Sequence, residues 1–539
     1  LSDQSRTVAR VVREQLEVCG FDTVFTLAGD TIVPLLQEFA NSKRMSVIGT
    51  RHEEAAALMA SAYAKFTGKP AVCLTDGGPG AVHLINGLYD AYTDCVPVLA
   101  LTGQVDKKYM YTRHVQFFDQ PRLFSNCTAY SATVVHPDHA GQLVRRAYSE
   151  AVVKARPAHL GFPKDLLMAQ TGAEVYPSDS FQNPAPFPNS NDLSRAVDRL
   201  LTAKKPVIMA GRGSEGMGEK ILAIAEKLEA GVIVTLPAKG TVPEDHPLVL
   251  GCLGDAGNSV SRDILAQSDV ALVIGATWWP EGYTPDHINV VQIDRSSLRV
   301  SVNFPAVISL TGDSKDVLPV LEEQMYRSSK PDWREVIQRT KEVWERSVER
   351  EFTATSVPIM PQRIIRSMEE AIPEDAIIAV DTGDHTLWFG ERFRAKRQRI
   401  LVSGQWRTMG WGLPAALAAK VAAGERKVVA LVGDGGFTQT MGELLTAVQY
   451  GLPVVVLVAN NGSLALERHK QIKQGYDPDL VDLHNPDFAA YAVACGATGM
   501  KVDDPELLTE KITEALDADS PVVIAIDTEA LAPPSLGLS

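Results

Sequence analysis

The sequence predicts an α/β fold made of three consecutive open parallel-sheet domains, and three observations lead there. First, short apolar runs rich in β-branched residues alternate with longer amphipathic stretches from end to end. That is the pattern of strands buried on both faces between helices. Second, two proline-rich stretches interrupt the rhythm and read as linkers: "NPAPFPNSND" at 183–192, and the region from "SSKPDW" to "SVPIMPQR" at 328–363. Third, two distant segments share one local plan. "AVCLTDGGPGAVHLINGLYDAYTDCVPVLALTGQ" (71–104) runs strand, Asp-Gly-Gly, helix, Val-Pro, strand. "VVALVGDGGFTQTMGELLTAVQYGLPVVVLVANN" (428–461) repeats the plan with Leu-Pro before the second strand. Such self-similarity suggests two related domains flanking a different middle one. The expected domains are 1–185, 190–335 and 358–539.

In chain order, the first domain offers "PAVCLTD" and "VPVLALTG" as strands. The second offers "PVIMAG", "VIVTLP", "VALVIGA" and "VVQID", and the third "AIIAVD", "VVALVGD", "PVVVLVAN" and "PVVIAID". At 539 residues the chain exceeds what one core serves. A net charge of −14, a pI of about 5.4 and the lack of any Lys/Arg run exclude nucleic acid as a main partner. No apolar stretch approaches about 18 residues, and the N-terminal "LSDQSRTVARVV" lacks the plan of a signal peptide, so no membrane partner is expected. Six scattered cysteines, without CxxC or zinc spacing, fit a reducing, cytoplasmic setting.

The chemistry concentrates at strand ends. In open parallel sheets, ligands bind beyond the carboxyl ends of strands. "VGDGGF" (432–437) ends one such run, and "VANNGS" (458–463) ends the next. Gly433, Gly435 and Gly436 allow close backbone approach at a helix start suited to phosphate. A hard divalent cation, expected to be Mg2+, takes oxygen ligands, and Asp434, Asn461 and the carbonyl of Ser463 offer three. Read alone, Gly-Asp-Gly is more often a plain turn; the paired strand ends favour the ligand.

GDG followed by NN resembles the cofactor signature of thiamine diphosphate enzymes. The likeness extends through "RHEEAAALMASAYAKFTGKPAV" (51–72), "GGPGAVHLINGLYDA" (77–91), "VPVLALTGQ" (96–104), "TMGWGLPAALAAK" (408–420) and "GDGGFTQTMGELLTAVQYGLPV" (433–454). These resemble the pyruvate oxidase and acetohydroxyacid synthase branch of a superfamily that includes pyruvate decarboxylase. The resemblance implies a pyrimidine-binding domain, a central Rossmann-like domain and a diphosphate-binding domain, in that order. It implies that Glu53, in Arg-His-Glu-Glu, is the catalytic carboxylate beside the aminopyrimidine ring; alone, it would read as a helix-start acid beside Arg51. It places Met409 as the wedge between the cofactor rings, although a methionine is more often plain core. Further cofactor contacts are implied at Gly29, Gly80, His83, Asp381, Thr382, Gly383, His385 and Thr408, beside Gly433, Gly435 and Gly436. Because Glu53 and Asp434 act from different chains in this family, a homodimer or homotetramer with interfacial sites is implied.

The resemblance further implies decarboxylation of pyruvate or a similar 2-oxo acid to an enamine, whose acceptor divides the family. Arg-His-Glu-Glu, "HLINGLYDA" and "GDGGFTQTMGELLTAVQ" favour a pyruvate oxidase-like reaction. "RHVQFFDQPRLFSNC" (113–127) keeps Gln116 but has Val115 and Phe117 where the family has Phe and Glu. Asp30, His114 and Glu467 instead resemble groups of non-oxidative decarboxylases, where Asp30 and Glu467 would hold the quenching proton; read alone, each is an ordinary polar side chain facing solvent. An acetolactate synthase-type carboligase is the other alternative. The middle segment is laid out like a flavin domain, with FAD contacts at Gly211, Arg212, Gly213, Gly275, Asp294 and Asp313, yet "TWWPEGYTP" carries Glu281 where the branch keeps an arginine. The closing "EALAPPSLGLS" is too short for the amphipathic tail of membrane-bound oxidases.

Overall fold

The apolar runs form three parallel sheets of six strands each in the computed structural model, which describes residues 6–177, 186–277 and 282–537. The first sheet runs Ser46–Gly49, Thr23–Thr26, Ala71–Thr75, Val98–Gln104, Ala158–Pro163, Tyr130–Thr133 across its width. The third runs Arg399–Val402, Ile377–Val380, Val428–Gly433, Val455–Asn460, Val522–Asp527, Thr498–Val502. Numbered within each domain, both orders are 2-1-3-4-6-5, so the likeness read between segments 71–104 and 428–461 extends to whole sheets. The middle sheet runs Val249–Cys252, Gly231–Val234, Pro206–Ala210, Val270–Ile274, Asn289–Asp294, Ile308–Thr311, or 3-2-1-4-5-6, the dinucleotide-fold order. A two-residue antiparallel ribbon pairs Arg6–Thr7 with Gln170–Thr171.

Two helices join the first and third domains: Glu53–Thr67, with a core of Ala55, Ala56, Ala57, Ala60, Ala62 and Ala64, and Gly412–Ala423, nearly as alanine-rich. Small side chains on every face let these helices be buried all round, so neither shows an amphipathic stripe. One apolar cluster runs through both domains, while the middle domain has its own. Inside the shared interface Lys65 Nζ lies 2.7 Å from both Asp90 and Asp94. Asp90 also accepts from Ser403 Oγ (2.7 Å) and the Trp411 indole (3.0 Å), both of the third domain. Burial would raise the Asp94 carboxyl, but Lys65 and Arg212 outweigh it and hold the pKa below its ordinary value.

The stretch 328–363, read from its prolines as a linker, is mostly a 22-residue helix, Pro331–Phe352. Pro331 sits in its first turn, where proline is tolerated, and Pro358 and Pro361 lie beyond its end. Trp333, Ile337, Val348 and Phe352 are its buried face. Residues 183–185 of the other predicted linker, and Glu281 with the two tryptophans before it, lie outside the described residues. Among the described residues no helix is long and apolar enough to cross a membrane.

Candidate active site

In all three sheets the chain reverses its winding between two neighbouring strands, and each such switch point opens a crevice at the strands' carboxyl ends. In the third domain the crevice lies between Ile377–Val380 and Val428–Gly433, directly before Asp381 and Asp434. In the first it lies between Thr23–Thr26 and Ala71–Thr75, before Gly29, Asp30 and Asp76. In the middle one it lies between Pro206–Ala210 and Val270–Ile274, before Gly211 and Gly275.

In the third domain Asp434 opens the helix Asp434–Thr440 and is 3% exposed. Its carboxylate accepts from Gly435 N, Gly462 N and Asn485 Nδ2, each at 2.8 Å. Gly462, at φ +64°, turns the chain so that its N–H points back at Asp434. Burial raises the Asp434 pKa against these donors, and the neighbouring Asp384 adds to the rise. Asn461 donates to Asp384 (3.3 Å) and accepts from Ser463 N (3.1 Å), while Ser463 Oγ is anchored on Val481 O (3.0 Å). The predicted metal ligands Asp434, Asn461 and Ser463 are therefore neighbours, with Asp384 beside Asn461.

Two features fit a diphosphate with a cation. His385 is 6% exposed, and among the described residues neither ring nitrogen has a hydrogen-bond partner; the Asp384 carboxylate is 3.7 Å away. A buried imidazole left in that state is costly unless a ligand meets it. The glycines also keep space clear: a Cβ on Gly435 would stand 2.7 Å from Leu464 Cδ2, and one on Gly436 2.6 Å from Asp381 Oδ2. Two close acids and a free imidazole form the donor set that a metal-bound diphosphate would satisfy.

Asp381, read as a cofactor contact, also holds the chain nearby. Its oxygens accept from Thr382 N (2.7 Å), Gly410 N (3.1 Å) and Trp411 N (3.2 Å), which pins the turn carrying Met409. Burial raises its pKa, with His385 working against the rise. Met409 is half-buried, its Cε 3.4 Å from where a Gly435 Cβ would lie. Thr408 Oγ1 accepts from Asn86 Nδ2 (2.9 Å), which also donates to Glu54 (2.6 Å), and Asn86 Oδ1 accepts from the Trp406 indole (2.6 Å). Asn86 thus ties the Met409 turn to the helix that Glu53 begins.

In the first domain Glu53 is the first residue of helix Glu53–Thr67, capped by His52, and its Oε2 lies 2.9 Å from His83 Nδ1. A Cβ on Gly80 would come within 3.2 Å of Glu53 Oε1, and one on Gly29 within 2.3 Å of Asp76 Cβ, so both glycines are close approaches. Gln116, at φ +63°, lies over Gly78. His114 stacks on Tyr109 at 4.1 Å and bonds the Val115 carbonyl. Asp30 is exposed and paired through both oxygens with Lys164 Nζ at 2.7 Å, which raises the lysine pKa. Glu467 is likewise exposed and paired with Lys470 at 2.7 Å. Among the described residues, no hydrogen bond or ion pair of this chain joins Glu53 or His83 to Asp434, Asn461 or His385.

The middle-domain predictions gather around one cavity of about 1370 Å³, which reaches Asp381–Gly383 of the third domain. Gly211, Gly213 and Gly275 meet backbone to backbone; a Cβ on Gly275 would stand 2.4 Å from Gly213 Cα. Asp294 is 6% exposed, its pKa raised by burial, and Asp313 caps the helix Ser314–Gln324. Arg212 reaches the Asp94 carbonyl.

Sequence reasoning passed over Asp384, Asn485, Asn86 and Lys164. Asp384 lies inside "DTGDH" (381–385), after the strand Ile377–Val380, and was legible there as an acid. The others act across 51, 322 and 134 residues of chain, and no local signal marks them.

Comparison with known proteins agrees with this geometry. Residues 6–123 match the N-terminal TPP binding domain of thiamine pyrophosphate enzymes, 193–321 the central domain and 381–526 the C-terminal TPP binding domain. YdaP of Bacillus subtilis, a protein named as thiamine pyrophosphate-containing, is 35% identical over 528 residues, covering 97% of this chain and 91% of that one. Pyruvate oxidase of Lactiplantibacillus plantarum is 30% identical over 514 residues (93% and 84%). The acetolactate synthase isozyme 2 large subunit of Escherichia coli is 28% identical over 538 residues (97% and 96%). With three switch-point crevices, an unsatisfied imidazole at one of them and relatives aligned along nearly its whole length, the chain belongs to the thiamine pyrophosphate enzyme family and is a thiamine diphosphate-dependent enzyme.

Proposed function

We propose that the chain decarboxylates pyruvate or a similar small 2-oxo acid with thiamine diphosphate and Mg2+, and passes the electrons to FAD in the manner of a pyruvate oxidase. The observation that carries this reading is the large cavity between the middle sheet's switch point and the Asp381–Gly383 segment. Its sheet order, its three apposed glycines and the cations Arg212, Arg295, Arg299 and Lys315 suit a dinucleotide diphosphate.

When bound, thiamine diphosphate supplies a carbon nucleophile that adds to the 2-oxo acid carbonyl and takes up the electrons left by CO2. Asp434, Asn461 and the Ser463 carbonyl would hold Mg2+, and His385 would donate to the diphosphate. The Glu53 carboxylate would hydrogen-bond the aminopyrimidine ring and favour its imino tautomer, oriented by His83 Nδ1 at 2.9 Å. As the family resemblance implies, the reading takes the active unit to be at least a homodimer, with Glu53 from one subunit facing Asp434 of another. Exposed Tyr111 and Val115 near the first half-site, and Tyr476 and Leu480 near the second, supply apolar surface for that contact. A cytoplasmic location belongs to the same proposal, supported by six free cysteines.

An acetolactate synthase-type carboligase is the second reading, supported by acetolactate synthase relatives at 30% and 28% identity, about as similar as the pyruvate oxidase at 30%. For a non-oxidative decarboxylase, Asp30 and Glu467 would have to leave Lys164 and Lys470 to carry a proton. An absorbance spectrum between about 350 and 500 nm, followed by anaerobic pyruvate with thiamine diphosphate and Mg2+, separates these readings. A flavin band that bleaches is the expected result. A flavin band that persists while acetolactate forms would favour the carboligase, and aldehyde release without flavin the decarboxylase.

A further inference from the structure

At the start of helix Glu53–Thr67, three metal-ligating side chains face one point. His52 is the helix cap, Glu53 the first residue, and His83 ends the short helix Pro79–His83. One ligating atom from each lies within 4.8 Å of the other two. His83 Nδ1 is 2.9 Å from Glu53 Oε2, and the two imidazole rings stand 4.5 Å apart, tilted by 32°. His52 Nδ1 accepts from Glu54 N (3.2 Å), which leaves its Nε2 as the ring nitrogen open to a metal.

The surroundings favour a cation despite the helix N-terminus. Glu443 accepts from the backbone N–H groups of Arg51 and His52, at 2.9 and 3.1 Å. The Arg51 guanidinium is directed to Gln449 (2.7 Å) instead of to Glu53. Glu53, Glu54 and Glu443 thus gather at this helix start, beside Arg51.

We propose that His52, Glu53 and His83 form a second cation site, selective for a borderline divalent ion of the zinc class, with water completing a tetrahedron. Two imidazoles and one carboxylate suit zinc, which binds nitrogen at about 2.0–2.1 Å, whereas Mg2+ prefers oxygen ligands. The ligating atoms must close to roughly 3.4 Å apart for such bonds. His52 and His83 are exposed and free to turn that far. The chain then carries a hard oxygen site at Asp434 and Asn461 and a borderline nitrogen site at Glu53. A zinc ion holding the Glu53 carboxylate denies it to the pyrimidine ring, so zinc and thiamine diphosphate exclude one another. That exclusion, unlike the metal site itself, rests on the cofactor role proposed for Glu53.

The test is calorimetric titration of the full cofactor-free chain with zinc chloride in excess Mg2+, which occupies the hard site. One zinc per chain is expected, with affinity falling at least tenfold in His52→Asn, which keeps a helix cap, and in His83→Gln. Unchanged zinc affinity in the double variant with a wild-type circular dichroism spectrum would overturn the site, as would no binding up to about 1 mM zinc. Zinc should also raise the apparent Kd of thiamine diphosphate. If zinc binds through His52 and His83 yet leaves that Kd unchanged, the metal site stands and the placement of Glu53 in the cofactor site falls.

Discussion

Glu53→Gln keeps the size and one acceptor of the side chain but removes its ability to take a proton. Turnover should drop by at least about 100-fold while thiamine diphosphate affinity stays within a few fold. Kinetics and binding measured side by side check this, and a variant that still turns over would move the proton chemistry to another residue. His159 offers a stability test away from the site. It lies between Thr102 Oγ1 (2.8 Å) and Ser131 Oγ (2.9 Å), stacked on Phe124 at 3.9 Å. Burial pushes its pKa down to about 3. The unfolded chain takes up this proton near pH 6.5 and the fold does not, so stability falls with acidification by up to about 1.4 kcal/mol per pH unit. Melting curves between about pH 6.5 and 5 should be flatter for His159→Gln; parallel slopes would assign the acid sensitivity to other groups. At this scale the legible feature was position, Asp434 and Asn461 each directly following the end of a strand. The lysine partners of Asp30 and Glu467 illustrate the two cases. Lys470 is one helical turn away and could have been read, whereas Lys164 arrives from a different strand end.

Among the elements, the turn between strand Arg399–Val402 and helix Gly412–Ala423 has unusually many tethers. Asp90 and Asp94 hold its Ser403, Gly404, Gln405 and Trp411, Asp381 holds Gly410 and Trp411, and Asn86 holds Thr408 and Trp406. Asn86→Ala removes the bonds to Thr408, itself an implied cofactor contact, and to Trp406 in the turn that carries Met409. Thiamine diphosphate should then bind about tenfold more weakly, with a modest loss of melting temperature. An unaltered cofactor Kd would mean that the aspartates alone set the turn. The same helices explain a limit of pattern reading. Glu53–Thr67 is apolar on every face because the Gly412–Ala423 helix and Ile85–Thr93 both cover it, and Gly87 is there so that Ala57 fits, a Cβ standing 2.5 Å from it. The prolines that suggested a linker at 328–363 bracket a helix, because proline is costly only inside one.

Across the whole molecule, polar pairs join the domains beside the apolar surface. Lys239, 2% exposed, donates to Glu244 (2.8 Å) in its own domain and to the Gly390 carbonyl (3.3 Å) of the third. Glu244 N in turn donates to Ala395 O (2.8 Å). Lys239→Met would leave Glu244 buried without its counter-charge, at a cost of about 3–5 kcal/mol. Denaturant titration should show that loss, together with looser docking of the middle domain; a change below about 1 kcal/mol would mean that water or Lys341 compensates.

The sequence by itself determined the α/β class, the likeness of the outer domains, and the carboxylate and amide that end neighbouring strands. These depend on local periodicity and on glycine at a few positions, which a linear reading can see. Only the tertiary structure decided that Asp381 anchors a turn, that Lys164 occupies Asp30, that Asn86 bridges two domains and that His52, Glu53 and His83 share one point. Each of those depends on where separate strand ends and helix termini meet in space. Chain-distant contacts of that kind leave no periodic trace in the residues that make them.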